Sequence, residues 1–453
     1  HVLGGADSLV YEEPDERFGV SVSRTRSGRF LILSIGSLTT SEARVLPADQ
    51  PAAAFRLVAA RRQDREYTVD HRGELFYIRV NDTGRNFRLV TAPVADPREE
   101  NWREVVPHRP DVMLEDIELF ANHYVLVERS AGLPRLTVVD FRTGARTPIA
   151  FPEPTYSAFH SVNREWDTRL FRYGYQSFVT PSSIYDYDMV RARSTLLKRT
   201  EVLGGYDPAR YVSERVVATA PDGARVPVSL VYLRGLRRDG RAPLLLTAYG
   251  SYGSSSSVTF NAKAWHDQGR MLNKMNTFTD FIAVAEHLVR QRYTAPQRLA
   301  IQGGSAGGLL MGAVTNLRPE LFRVVVANVP FVDVINTMLD TSLPLTVAEF
   351  EEWGNPRVRE QYDAIRRYSP YDNLVRRDYP ALIVTTSFND SQVLYHEPAK
   401  YVARLRTLKT DDRPLVFVVN MGAGHGGASG RYDRLREIAR DWGFVLWQLG
   451  ITR

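Results

Sequence analysis

The rhythm of hydrophobic and polar positions changes near residue 205 of this chain. Before that point the apolar runs are short and strand-like, at 18–23, 29–34, 75–80, 123–128 and 136–140. Polar turns such as Arg26-Ser27-Gly28, Asn81-Asp82-Thr83-Gly84 and Arg142-Thr143-Gly144 separate them. Closely spaced strands with glycine-bearing turns predict an all-β segment. Similar units begin at Tyr67 and Glu118. The implied period is roughly 45–50 residues, the length of a four-stranded propeller blade. About four blades fit on this period, with an irregular sandwich as the alternative.

From about Tyr211 apolar strands alternate with amphipathic helices, which predicts an α/β segment with a parallel sheet. Runs at 243–248, 299–301, 322–327, 381–386 and 415–419 read as strands. Thr277 and Asp280 have the spacing of a capping box opening a helix to about Arg290. A last helix, over 432–449, places Tyr432, Leu435, Ile438, Ala439, Trp442, Leu446 and Leu449 on one face, expected to meet the core. Two domains follow: a β-propeller over 1–208 and an α/β domain over 209–453.

Composition narrows the chemistry. With 453 residues, 43% hydrophobic and 24% charged, the chain reads as globular. It holds no cysteine, which excludes disulfides, thiolate metal sites and cysteine nucleophiles and fits a reducing compartment. No apolar run reaches ~18 residues, so no membrane partner is expected. The net charge of +6 is spread along the sequence, whereas nucleic-acid binding would want it clustered. The chain opens on His1 with no leader-like segment, and further residues are expected upstream.

Candidate chemistry centres on Gly303-x-Ser305-x-Gly307, between an apolar strand and a helix-compatible run. A strand that turns directly into a helix lifts a serine hydroxyl clear of the sheet, and flanking glycines let the backbone pass closely. Alone, the pentapeptide fits a glycine-rich loop equally well; its strand–helix context favours a nucleophile elbow. Such a nucleophile needs an acid and then a histidine in chain order. Asp390 follows the 381–386 run and His425 follows the 415–419 run, at strand ends that deliver residues to one sheet edge. A turn aspartate and a surface-loop histidine are the bland alternatives. In the catalytic reading His425 takes the Ser305 proton while Asp390 holds the imidazole. The Ala306 N–H and, as a second donor, Tyr249 would face the oxyanion. No metal and no organic cofactor are called for.

Stretches at 248–253, 276–281, 303–312, 329–334, 344–346, 349–356, 368–373, 389–393 and 423–427 carry a family resemblance. The chain resembles the prolyl oligopeptidase family, and within it the oligopeptidase B branch. That resemblance implies an α/β-hydrolase catalytic domain with a β-propeller, of which the later blades of seven are represented. It implies a cytoplasmic serine peptidase, monomeric or dimeric, that cleaves short basic peptides after Arg or Lys. Glu349 would meet the P1 side chain, Phe331 would stack on it, and Glu351 would assist; with Glu352 these form an acidic knot. Gln392 stands where prolyl-specific relatives carry a substrate-binding arginine. Two departures accompany the resemblance: too few blades for a ring of seven, and a direct passage from Ala262 to Lys263 where the family has a further strand. An acylaminoacyl-peptidase type, an inactive scaffold and a lipase are the competing readings.

Overall fold

The computed structural model describes residues 8–202, 205–252 and 269–452. The Ala262–Lys263 junction lies outside them.

Four antiparallel four-stranded sheets make up the first part. They are β1–β4 (Gly19–Arg24, Phe30–Gly36, Ser41–Pro47, Arg56–Ala59) and β5–β8 (Tyr67–Arg72, Leu75–Val80, Arg88–Pro93, Arg103–Val106). The next are β9–β12 (Val112–Leu119, His123–Ser130, Leu133–Asp140, Arg146–Pro148) and β13–β16 (Tyr156–His160, Leu170–Ser177, Ser183–Asp188, Arg193–Arg199). Each is one propeller blade, in the number the sequence period predicts. Blade stacking follows from strand alternation. Phe30, Ile32, Val69, Phe76 and Ile78 fill the space between the first two blades. Leu89, Leu114, Leu119 and Leu126 fill the next, and Val125, Leu136, Phe171 and Tyr173 the third. At roughly 1.5–3 kcal/mol per large buried apolar side chain, these seams hold the blades face to face.

A hairpin, β17 (Tyr211–Thr219) and β18 (Arg225–Leu233), precedes the catalytic domain's parallel sheet. That sheet runs β19 (Leu244–Thr247), β20 (Leu299–Gly304), β21 (Val324–Asn328), β22 (Ala381–Ser387) and β23 (Leu415–Asn420), neighbours in chain order. Its two faces separate by residue parity. Leu299, Ile301, Val325, Leu382 and Val384 pack towards α1 (Met275–Arg290) and α2 (Ala306–Leu317). Ala300, Val324, Val326, Ala381 and Ile383 pack on the other side. α2 is buried nearly throughout, which explains its lack of a polar face. Further helices are α3 (Val334–Leu339), α4 (Phe350–Trp353), α5 (Arg359–Arg366), α6 (His396–Leu408) and α7 (Arg431–Gln448).

Two local expectations are corrected. α1 starts at Met275, with no side-chain cap. Thr277 instead donates to the Gly269 carbonyl, so Thr277 and Asp280 form no capping box. α7 meets the sheet through Phe444, Val445 and Leu449, just past its end. Of the predicted stripe Leu449 does meet the sheet, while Tyr432, Leu435, Ile438, Ala439, Trp442 and Leu446 are exposed. Phe444 and Val445 lie roughly a third of a turn from that stripe, and only the last turns of the helix reach the sheet.

Candidate active site

β20 ends at Gly304 and α2 begins at Ala306, leaving Ser305 alone at the turn. Its backbone sits at φ 58° and ψ −123°, a strained conformation for a residue with a side chain. Packing enforces it. A Cβ on Gly303 would lie 2.3 Å from the Gly307 carbonyl oxygen, and one on Gly308 would lie 2.5 Å from Pro330. The Ser305 N–H donates to the Asn328 carbonyl at 2.9 Å. The Ser305 carbonyl accepts from Gly308, Leu309 and Phe331 N–H groups at 2.8, 3.1 and 3.2 Å. The strain is thus overdetermined by backbone bonds, one of which ties Phe331 to the serine.

Asp390 and His425 arrive from the ends of β22 and β23. The His425 Nδ1 lies 2.8 and 3.0 Å from the two Asp390 carboxylate oxygens. The Asp390 side chain is fully buried, and its Oδ1 also accepts the Gln392 and Val393 N–H groups at 2.9 Å each. A carboxylate locked this way fixes the proton on Nδ1 and leaves the Nε2 lone pair as the base. The Asn389 N–H donates to the Ala423 carbonyl at 3.2 Å, which joins the two loops.

Tyr249, just beyond β19, brings its phenol beside Ser305, and both line one cavity. Among the described residues no hydrogen bond joins Ser305 to His425. Nucleophile–base bonds of this kind commonly close only around substrate. Desolvation, assisted by the negative charge of Glu349 and Glu352 and opposed by the neighbouring Ser305 hydroxyl, pushes the Tyr249 phenol above its usual range. Tyr249 therefore stays a proton donor at neutral pH. Ala306 heads α2, where N–H groups have no intrahelical acceptor. Serine, phenol and helix start converge on one point, the geometry of an oxyanion site.

From that point a cavity of about 90 Å3 runs inward, lined by Tyr249, Tyr252, Ser305, Ala306, Phe331, Glu349, Gln392 and Val393. Thr337, Met338, Leu343, Leu345 and Thr346 complete a wall of mixed polar and apolar character. Glu349 is its single charged group. Trp353 Nε1 donates to Glu349 Oε2 at 2.6 Å, and the Tyr252 side chain lines the cavity beside the same carboxylate. Desolvation nevertheless holds the Glu349 carboxyl above the usual range. Phe331 lines the wall and packs on Trp353 at 5.2 Å between ring centroids.

Glu351 is not brought to this cavity. Residues two apart on a helical turn face different ways. Glu351 points from α4 to the propeller, where it accepts from Ser37 Oγ at 2.9 Å and Gln63 Nε2 at 3.3 Å and lies 3.8 Å from Arg17. Tyr252, Trp353 and Lys274 belong to the site's framework and were not singled out in the sequence. Tyr252 carried a usable signal, lying three residues after Tyr249 in a glycine turn; Lys274, just ahead of a helix, carried none.

Comparison with known proteins now places the chain. Residues 258–452 match the prolyl oligopeptidase family, and residues 1–200 match the prolyl oligopeptidase N-terminal beta-propeller domain. Dipeptidyl aminopeptidase BI of Pseudoxanthomonas mexicana is 45% identical over the whole of this chain and 66% of its own length. Protease 2 of Moraxella lacunata is 40% identical, again over all of this chain and 69% of the relative. The chain belongs to the prolyl oligopeptidase family. Its fold matches that of oligopeptidase B from Leishmania major at a TM-score of 0.92 and 36% identity, covering 98% of this chain and 67% of the other. Oligopeptidase B from Trypanosoma brucei, in a closed form with covalently bound antipain, matches with the same score and identity over 98% and 68%. The chain spans about two thirds of the length of these family members. Its two parts are the family's α/β-hydrolase catalytic domain and part of its β-propeller.

Proposed function

We propose that this protein is a serine oligopeptidase that cleaves short peptides on the carboxyl side of Arg or Lys. The observation that carries the reading is the position of Glu349: one desolvated carboxylate, the single charged group lining a cavity that opens at Ser305. Among the described residues Glu349 makes no ion pair, and a P1 guanidinium or ammonium supplies one. Phe331 offers that side chain an aromatic wall. A prolyl ring or a lipid acyl chain would leave Glu349 unpaired, which disfavours both.

In the reaction, Ser305 Oγ attacks the scissile carbonyl carbon as His425 Nε2 takes its proton. Tyr249 and the Ala306 N–H receive the oxyanion. Collapse breaks the C–N bond, His425 returns the proton to the leaving amine, and an acyl-Ser305 ester remains. Water, deprotonated by His425, then releases the acid. Gln392, beside the cavity, provides no positive charge for a substrate carbonyl.

The test is a comparison of kcat/KM across Arg, Lys, Pro and Leu P1 reporters, with mass spectrometry for acyl-Ser305. Preference for the basic reporters, with the adduct trapped, is expected. A prolyl or leucyl preference would overturn the reading. The similarity to a protein named dipeptidyl aminopeptidase favours a second mode, release of N-terminal dipeptides with the same P1 choice. Matched reporters with free and blocked amino termini separate the two modes. A cytoplasmic location accompanies this proposal and is checked by fractionation.

A further inference from the structure

We propose that Lys274 is a positioning residue that locks the oxyanion loop and the P1 carboxylate into one geometry. The inference rests on the peptidase reading above.

Lys274 precedes α1 and is almost wholly buried, with a side-chain exposure of 1% against 0% for its partner Glu352. An ammonium has three donors, and all three find acceptors here. Nζ reaches the Gly250 carbonyl at 3.0 Å, Ser251 Oγ at 2.9 Å and Glu352 Oε1 at 2.8 Å. The first two belong to the loop that carries Tyr249 and Tyr252. The third belongs to α4, immediately after the P1 carboxylate Glu349. The same Nζ lies 4.4 Å from the centroid of the Trp353 ring. Trp353 is the indole that donates to Glu349, and it packs on Tyr252 at 5.6 Å.

One cation therefore spans two segments far apart in sequence, each supplying one end of the substrate site. The loop end is stiff. Gly250 has φ +73°, and a Cβ there would lie 2.6 Å from Thr277 Cγ2. Its carbonyl is thus aimed at Lys274 by packing from α1. The arrangement is costly in isolation: burial pushes the lysine's proton affinity down, and Glu352 opposes that loss. A hydrophobic pair of similar volume would serve stability as well or better. That such a pair sits behind the site, in contact with both of its functional ends, points to positioning. Misplacing reacting groups by about 1 Å costs on the order of 100-fold in rate.

Lys274→Met alone removes the ammonium that pairs with the buried Glu352 carboxylate and is expected to lower Tm. The test therefore uses the double variant K274M/E352Q, which removes both charges and keeps the volume. Active sites are first titrated with a fluorophosphonate, so that misfolded protein is not counted. Per titrated site, kcat on an arginyl reporter is expected to fall about 100-fold. The arginyl-over-citrullinyl preference should fall with it, because both ends of the site lose their common anchor. A purely structural role would lower the titrated fraction and leave kcat per site and the preference unchanged. Ser251→Ala, which removes one acceptor with little change in volume, should lower kcat per site about 5-fold, the worth of one hydrogen bond. Wild-type protein without arginyl preference overturns the P1 reading and the coupling together. A wild-type preference, retained with full kcat by both variants, overturns the Lys274 assignment alone.

Discussion

Replacing Tyr249 with phenylalanine isolates the oxyanion contribution. The ring stays, and only the hydroxyl beside Ser305 is lost. Losing the donor to the developing oxyanion costs ~2.7–4 kcal/mol, because charge forms there in a site shielded from water. On that scale kcat should fall roughly 100-fold. KM for an arginyl reporter should change by less than about 3-fold, since the lost interaction strengthens only in the transition state. Single-turnover acylation measures the step directly. The phenol's raised proton affinity adds a check: no tyrosinate limb should enter the wild-type profile below about pH 10. A Y249F enzyme that acylates within about 3-fold of wild type, against the roughly 100-fold loss expected, would refute Tyr249 as the donor.

Other predictions concern stability and pH. Gly303→Ala places a Cβ 2.3 Å from a backbone oxygen, so it should destabilise by roughly 1–3 kcal/mol or more in urea unfolding. Glu397 is fully buried, accepts the Asp333 N–H at 2.7 Å and the Thr337 hydroxyl at 2.8 Å, and is pushed up to about 7, chiefly by desolvation. Its folded-state affinity for a proton exceeds the unfolded one, so its stabilising effect is full below pH ~4.3 and is lost as pH rises through about 7. Relative to E397Q, the wild type should lose about 3 kcal/mol across that window, measured from urea midpoints. The raised Glu349 carboxyl carries a kinetic counterpart: as pH falls through its titration, arginyl kcat/KM should drop, while a leucyl reporter, which needs no carboxylate there, should lack that drop. Parallel profiles for the two reporters would contradict this.

The nucleophile elbow was legible because its demands are local. A strand, a strained residue and small neighbours all sit within a few positions, and Gly303, Gly307 and Gly308 mark them. The blade period was legible for the same reason, since each blade repeats one short pattern. Glu351 was less so. Three acids in four residues announce a charged site, but which one faces the cavity depends on the phase of a single helical turn. The α7 stripe shows a related limit. Its amphipathic spacing identified a helix, yet which side chains are buried depends on which turns reach β21 and β22 in the fold. Lys274 was invisible: its partners Gly250, Ser251 and Glu352 lie 23–78 residues away and meet only in the fold.

The central claim is that Glu349 makes the cavity beside Ser305 select a positive charge. Citrulline keeps arginine's shape and removes its charge, so the arginyl-to-citrullinyl ratio of kcat/KM measures that selection alone. Pairing a desolvated charge typically contributes ~2–5 kcal/mol, so the wild-type ratio should exceed about 30. In Glu349→Gln it should fall to near unity. A ratio that survives this substitution would contradict the account.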